Sequence, residues 1–265
     1  YWTPITPLRG SNLHAETHQP IVRLESSEIV GLEALARMVM PDGRIASAGE
    51  FHGALDDPRI AYDLTGHMLT RVASDIRAWL DADIPFQHVG VNVTTGDFRR
   101  GDLAERMASI FAEQNVPLHH VVLEVNESVF MGGDDQVVPH AVEALRGQGI
   151  LVALDDFGTG FASLTHLLSF PVDIIKMDRS FVQRLGVDLP GEVVVRAILD
   201  IARRLDMRVV AEGIETPRQA EILRDLGCTL GQGFLFSRPV SARDATDLLR
   251  IFAQRPAAGE TRRTA

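Results

Sequence analysis

Seven short apolar runs in this chain each carry a polar side chain that could do chemistry. Glu33 follows Val30-Gly31-Leu32, Asn92 sits between Val91 and Val93, and Glu124 follows Val121-Val122-Leu123. Asp155 and Asp156 end Leu151-Val152-Ala153-Leu154, and Lys176 follows Ile174-Ile175. Glu212 follows Val209-Val210-Ala211, and Gln232 lies in Leu230-Gly231-Gln232. An isolated carboxylate in such a run is costly unless it is paired or bound to a metal. Any one of these residues alone reads as a buried ion pair or a cap. Seven in order, near the ends of successive strands, read as one site. Five carboxylates and one amide oxygen form a hard oxygen set, with no Cys or His on the same strand ends, which selects Mg²⁺ or Mn²⁺ over Zn²⁺. Asp155 and Asp156 point to opposite faces of an ideal strand. At a strand end entering Gly158-Thr159-Gly160 the chain can twist so that both reach one site. Two ions about 3.5–4 Å apart, bridged by one carboxylate, would activate a water and clamp a phosphate ester for in-line displacement. Lys176 would orient that water or offset developing negative charge. Ca²⁺ is expected to inhibit, since its larger and more flexible shell suits such a site poorly.

The elements that must position these residues alternate along the chain. Strands are predicted at Glu16–Leu24, Glu28–Arg37, Val89–Thr94, Val121–Asn126, Leu151–Phe157, Asp173–Asp178, Arg208–Ile214 and Leu230–Phe236. Helices are predicted at Arg59–Asp81, Asp102–Gln114, Pro139–Gly147, Glu192–Leu205, Pro217–Leu226 and Ala242–Phe252. Thr216 as N-cap, Pro217 in the first turn and Gln219 closing a capping box mark one helix start, and Gly227 marks its end. Glu25-Ser26-Ser27 is too short for a parallel crossover, so the first two strands form a hairpin. The remainder reads β-α-β-α with near-continuous apolar strands, as parallel sheets do. The expected fold is a TIM-like (β/α)₈ barrel with its first strand antiparallel to the others, with the polar residues at the C-terminal ends of the strands. An open doubly wound sheet is the alternative, but it lacks a Gly-rich loop after the first strand.

Glu33-Ala34-Leu35-Ala36-Arg37 resembles the signature of the EAL-domain cyclic di-GMP phosphodiesterases. Further motifs match in order: Gln19-Pro20-Ile21, Val91-Asn92-Val93-Thr94, Glu124-Val125-Asn126-Glu127, Asp155-Asp156-Phe157-Gly158-Thr159-Gly160-Phe161, Ile175-Lys176-Met177-Asp178-Arg179-Ser180-Phe181, Val210-Ala211-Glu212-Gly213-Ile214-Glu215-Thr216 and Gln232-Gly233-Phe234. The resemblance runs from about Leu13 to Phe252. It implies hydrolysis of cyclic di-GMP to linear pGpG with two Mg²⁺ or Mn²⁺ ions. It also implies that Glu33, Asn92, Glu124 and Asp155 hold one ion, and that Asp155 bridges to a second held with Asp156, with Glu212 nearby. Lys176 would contact the attacking water. Glu127 would steady the loop from Phe157 to Ser169, which the family uses in activation and in homodimer contacts. Gln19, Leu35, Arg37, Asp178 and Gln232 would line the substrate groove. The chain departs from the family pattern at His18, Asn126, Phe161-Ala162 and Thr229-Leu230, none of which removes a proposed metal ligand or the lysine. The alternative reading is a catalytically silent cyclic di-GMP receptor, which typically lacks metal ligands or the loop glutamate that this chain retains.

The composition bounds these readings. Apolar residues make up 45% and charged residues 23% of 265 residues, ordinary values for a globular chain. Lys and Arg number 26 against 36 Asp and Glu, a net charge of −10 that argues against a general DNA or RNA duplex binder. A phosphate ligand would therefore need recruited cations. One cysteine, Cys228, forbids an intramolecular disulfide and suggests a reducing, cytoplasmic setting. No apolar run approaches the roughly 20 residues of a membrane span. The opening Tyr1-Trp2-Thr3-Pro4 reads as a segment of a longer protein, fused to sensory or cyclase domains. Residues 1–12 read as a linker, 13–254 as the EAL domain and 255–265 as a flexible tail. His14, Glu16 and His18 alternate on one strand face without the spacing of zinc proteases, and no metal is expected there.

Overall fold

The computed structural model describes residues 15–40, 42–51, 53, 55, 57–126, 129, 137–158 and 171–253. Strands β1 (Ala15–Arg23) and β2 (Ile29–Val39) form the expected antiparallel hairpin, with Gln19 opposite Glu33. A short strand β3 (Ile45–Ser47) adds to the outer end of β2. Then β4 (His88–Val93), β5 (Val121–Asn126), β6 (Leu151–Phe157), β7 (Ile174–Met177), β8 (Arg208–Ala211) and β9 (Leu230–Gln232) follow β2, each parallel to the one before. β1 pairs antiparallel with β9 and closes the barrel. This is the eight-stranded mixed barrel with its first strand reversed.

Helices α1 (Ala48–Phe51), α2 (Pro58–Asp81), α3 (Thr95–Arg99), α4 (Leu103–Glu113), α5 (Val137–Gly147), α6 (Arg179–Val182), α7 (Leu189–Arg204), α8 (Pro217–Asp225) and α9 (Ala242–Ala253) surround it. Helix α2 buries Leu64, Met68, Leu69, Val72, Ile76 and Trp79, an i, i+4, i+5, i+8 stripe that faces the barrel. Its start is fixed by Pro58 in the first turn and by Asp57, whose side chain accepts from the Arg59 N–H. Helix α8 carries the Thr216–Gln219 capping box read from the sequence. Gly227 adopts φ +86° just past its end.

The apolar core has two parts. The larger lies between strands and helices. The smaller fills the lumen with Ile21, Val30, Val122, Ala153, Ile174, Val210 and Leu230. Five of these sit two residues before a polar residue of the ring: Val122 before Glu124, Ala153 before Asp155, Ile174 before Lys176, Val210 before Glu212, which lies just past the end of β8, and Leu230 before Gln232. Side chains alternate across a strand, so residues two apart share a face. The polar ring therefore stacks directly on an apolar floor inside the barrel.

Several predicted boundaries shift. The strands predicted to reach Ile214 and Phe236 end at Ala211 and Gln232. After Gln232 the chain turns, with Phe236 and Ser237 N–H groups donating to Gly233 O. Asp178 leaves the strand to cap α6, accepting from the Ser180 N–H at 2.9 Å. Helix α7 starts at Leu189 rather than Glu192, because Asp188 accepts from the Gly191 N–H and Pro190 fits the first turn. The short elements β3, α1, α3 and α6 were not expected. They are too brief to show periodicity.

Candidate active site

The polar residues converge at the C-terminal mouth of the barrel. Lys176, only 2% exposed, extends from β7 into the lumen. Its Nζ lies 2.8 Å from Glu124 Oε2, 3.0 Å from Glu212 Oε1, 3.1 Å from Asp155 Oδ1 and 3.2 Å from Glu33 Oε1. The Asn92 amide nitrogen donates to Glu33 Oε1 at 3.1 Å and to Glu124 Oε2 at 3.2 Å. Gln232 Nε2 donates to Glu33 Oε2 at 2.6 Å and to Gln19 Oε1 at 3.1 Å. Gln19 in turn donates to Ser237 O at 3.2 Å. A chain of amides thus fixes Glu33 from the β1–β9 side.

Two local features make room for this ring. Gly90 precedes Asn92 by two residues and so faces the lumen, but contributes no side chain. A Cβ there would collide with the Glu124 carboxylate, which fills that space. At the end of β6 the register shifts between Leu154 and Phe157, and Asp156 takes φ +53°. That left-handed turn brings both adjacent aspartates to one side, as the sequence required. Asp tolerates this conformation better than most residues.

Burial and like charge dominate the electrostatics. Burial, then the charge of Glu33, holds the Glu124 carboxyl well above the usual carboxylate range. Burial raises Glu212 to about 8 against the opposing pull of Lys176. Burial, then Asp155, raises Asp156. Burial also works against ionisation of Glu33, but Lys176 and the amides of Gln232 and Asn92 outweigh it and hold its carboxyl below the usual value. Lys176 is driven well above its ordinary value because the surrounding carboxylates overcome the cost of burial. Five carboxylates thus share one ammonium, and the ring is short of positive charge.

That shortage tests whether the residues suit divalent ions. Carboxylate oxygens of Glu33, Glu124 and Asp155 lie within 4.8 Å of one another, and so do those of Asp155, Asp156 and Glu212. Asp155 belongs to both groups. A pair of oxygen triads sharing one carboxylate fits two hard divalent cations, and their charge would balance the five carboxylates and Lys176 to neutrality. With its nitrogen toward Glu33 and Glu124, Asn92 would present its oxygen to a cation there after a half-turn of its amide.

A cavity of about 420 Å³ opens beside the ring. Of the predicted groove residues, Gln19, Leu35, Asp178 and Gln232 line it. Arg37 is not among its lining residues, and its guanidinium donates to Ala36 O at 2.9 Å. Sequence reading missed Arg179, Glu215 and Phe234, which also line it. Phe234 is 48% exposed, and the Arg238 guanidinium stacks 4.2 Å from its ring centre. Arg179 and Phe234 both lie inside matched motifs, so the signal was present but had no role attached. Glu127 and residues 159–170 of the predicted activation and dimer loop lie outside the described residues. No helix among the described residues is long and apolar enough to cross a membrane.

The family model of the EAL domain matches residues 15–239. The chain belongs to the EAL domain family. It is 33% identical over 235 residues to the cyclic di-GMP phosphodiesterase NbdA of Pseudomonas aeruginosa, covering 89% of this chain and 30% of that protein. It is 32% identical over 225 residues to the bifunctional diguanylate cyclase/cyclic di-GMP phosphodiesterase MucR of the same species, covering 85% and 33%. This EAL chain therefore spans about a third of the length of these curated relatives. Among solved structures, the EAL enzyme Bd1971 in its cAMP- and cyclic-di-GMP-bound form has TM-score 0.83 at 30% identity, covering 88% of this chain and 64% of that one. The PaMucR phosphodiesterase in complex with c-di-GMP has TM-score 0.80 at 31% identity, covering 87% and 93%. The manganese/cy-diGMP complex of Klebsiella pneumoniae BlrP1 has TM-score 0.76 at 26% identity, covering 89% and 58%.

Proposed function

We propose that this chain hydrolyses one phosphodiester bond of cyclic di-GMP to give linear pGpG, using two Mg²⁺ or Mn²⁺ ions. The observation that carries the reading is the pair of carboxylate triads sharing Asp155 beside the cavity. The substrate is taken from the relatives, which are named as cyclic di-GMP phosphodiesterases. Glu33, Asn92, Glu124 and Asp155 would hold one ion, and Asp155, Asp156 and Glu212 the other. When bound, such ions lower the pKa of water and offset charge on a phosphate undergoing in-line displacement.

The remaining work falls to the chain. Lys176 keeps its proton and so acts as a donor and fixed cation, steadying the attacking water rather than deprotonating it. Gln232 holds Glu33 by a hydrogen bond, Gln19 accepts from Gln232, and the two amides form one wall of the groove. Arg179 offers a fork for a phosphate oxygen. Phe234, backed by Arg238, offers a face on which a base can stack. Residues 13–254 would form one catalytic unit in the cytoplasm, joined to sensory or cyclase domains and paired as a homodimer through the loop after β6.

The test is incubation of the purified protein with cyclic di-GMP and Mg²⁺ or Mn²⁺, with chromatography of the products. pGpG should accumulate, the Glu33→Ala variant should make none, and Ca²⁺ should suppress the reaction. Binding without any pGpG at all metal concentrations would overturn the enzyme and leave a silent receptor.

A further inference from the structure

A second convergence of carboxylates and a histidine lies on the outer side of β1. Glu16 and His18 face helix α2, which brings up Arg71, Asp75 and Trp79. Ligand atoms of Glu16, His18 and Asp75 lie within 4.8 Å of one another. The side chains are 3%, 0% and 20% exposed, so the group opens to solvent only at Asp75. His18 Nε2 meets Asp75 Oδ2 at 2.9 Å, and Arg71 Nε donates to Glu16 Oε1 at 3.2 Å. The other Glu16 oxygen, Oε2, is buried with no hydrogen-bond partner among the described residues. So is His18 Nδ1, while the Asp75 carboxylate, as an acceptor, places a ring hydrogen on Nε2. A buried acceptor left unpaired is destabilising by about 1–3 kcal/mol. Burial and the neighbouring Asp75 also push Glu16 up to about 7. Arg71, the one permanent cation in contact with the group among the described residues, reaches a single oxygen of Glu16.

We propose that Glu16, His18 and Asp75 bind one divalent cation of the zinc class, separate from the site at the barrel mouth. One imidazole and two carboxylates make a three-ligand set that leaves a position for water. That position faces the exposed side of Asp75. The nitrogen ligand separates this site from the all-oxygen ring, which suits Mg²⁺ or Mn²⁺. The ion supplies the charge that the Glu16 carboxylate lacks. It ties the barrel's closing strand to its longest helix, and the opposite face of that strand carries Gln19 of the groove wall. The site is structural and does not depend on the phosphodiesterase reading.

The test is equilibrium dialysis of the protein against Zn²⁺ in excess Mg²⁺, with metal analysis, and repetition with Co²⁺ to record the visible spectrum. A Glu33→Gln, Asp155→Asn variant removes the competing oxygen site and should still bind one Zn²⁺ per chain. Its Co²⁺ form should show the strong visible bands of a four-coordinate, nitrogen-containing site. His18→Gln should weaken Zn²⁺ binding more than about tenfold and abolish those bands. Where His18→Gln fails to fold, Asp75→Asn, at the solvent edge, should give the same loss. Zn²⁺ binding that disappears with Glu33 and Asp155, or persists unchanged in the His18 or Asp75 variants, overturns the proposal. Glu16 and Asp75 would then simply share a proton.

Discussion

Lys176 stands within 3.2 Å of four carboxylates and is almost fully buried. Removing one partner of a buried charge cluster leaves the others uncompensated, a loss of about 3–5 kcal/mol. Lys176→Met should therefore lower stability strongly in chelator, and Mn²⁺ should restore part of the loss by supplying the missing charge. Denaturant melts with EDTA and with Mn²⁺ check this; equal losses in both conditions would contradict it. On the proposed mechanism turnover should remain slow even with Mn²⁺, since Lys176 would be the donor to the attacking water. Phe234 behaves differently. It is half-exposed and supports no core, so Phe234→Ala should raise KM for cyclic di-GMP with little change in melting temperature. A change in kcat alone would argue against a stacking role.

Strand β4 makes its contribution through a missing side chain. Gly90→Ala should displace the Glu124 carboxylate, destabilise the barrel by about 1–3 kcal/mol and weaken Mn²⁺ binding, measured by calorimetry. Thr216→Ala at the start of α8 should lose a comparable amount, about 1 kcal/mol, but leave Mn²⁺ affinity unchanged. The contrast separates an element that shapes the site from one that only closes the fold. At this scale the sequence was most legible for elements with period or punctuation. The hairpin, the long helix α2 and the capped helix α8 were all readable. Helix α3 was not. It is a five-residue turn held by Asp97, which accepts from Thr94 N–H and Thr94 Oγ1, and also from Thr65 Oγ1 on α2. Part of its support is a tertiary contact that no local window contains.

Across the whole molecule, linkage to protons, and to metal ions on the proposed function, bears on stability. His88 on β4 is buried, and burial, then the nearby charge of Arg208, lowers its pKa to about 4 from an ordinary 6.5. Between those values the unfolded chain binds a proton that the folded chain does not. Stability from the neutral ring is complete above pH 6.5 and falls as pH drops toward 4, by on the order of 3 kcal/mol. Relative to His88→Gln, the wild type should lose that amount over this window in pH-dependent urea melts. A difference between the two that stays flat with pH would refute the shift. Chelation should lower the melting temperature of the wild type at any pH where the site binds ions, because ligand bound to the native state alone stabilises it. On the proposed function the net charge of −10 has a local meaning: an acidic chain would meet a dianionic ligand through cations.

The sequence by itself determined the alternation of strands and helices, the reversed first strand and the polar residue in or at the end of each apolar run. These are consequences of local periodicity, turn length and residue type. Tertiary structure alone decided which side chains meet. It centred Lys176 on four carboxylates, three from strands β2, β5 and β6 and Glu212 from just past the end of β8. It turned Asp156 inward through a left-handed residue, and it kept Arg37 out of the cavity that Arg179 and Phe234 line. It also carried Asp75 across 57 residues to His18, giving the His14-Glu16-His18 alternation a partner that spacing along one strand could never reveal. Periodicity fixes a face, but contact depends on strand twist, register and the approach of distant elements, and those exist only once the barrel has closed.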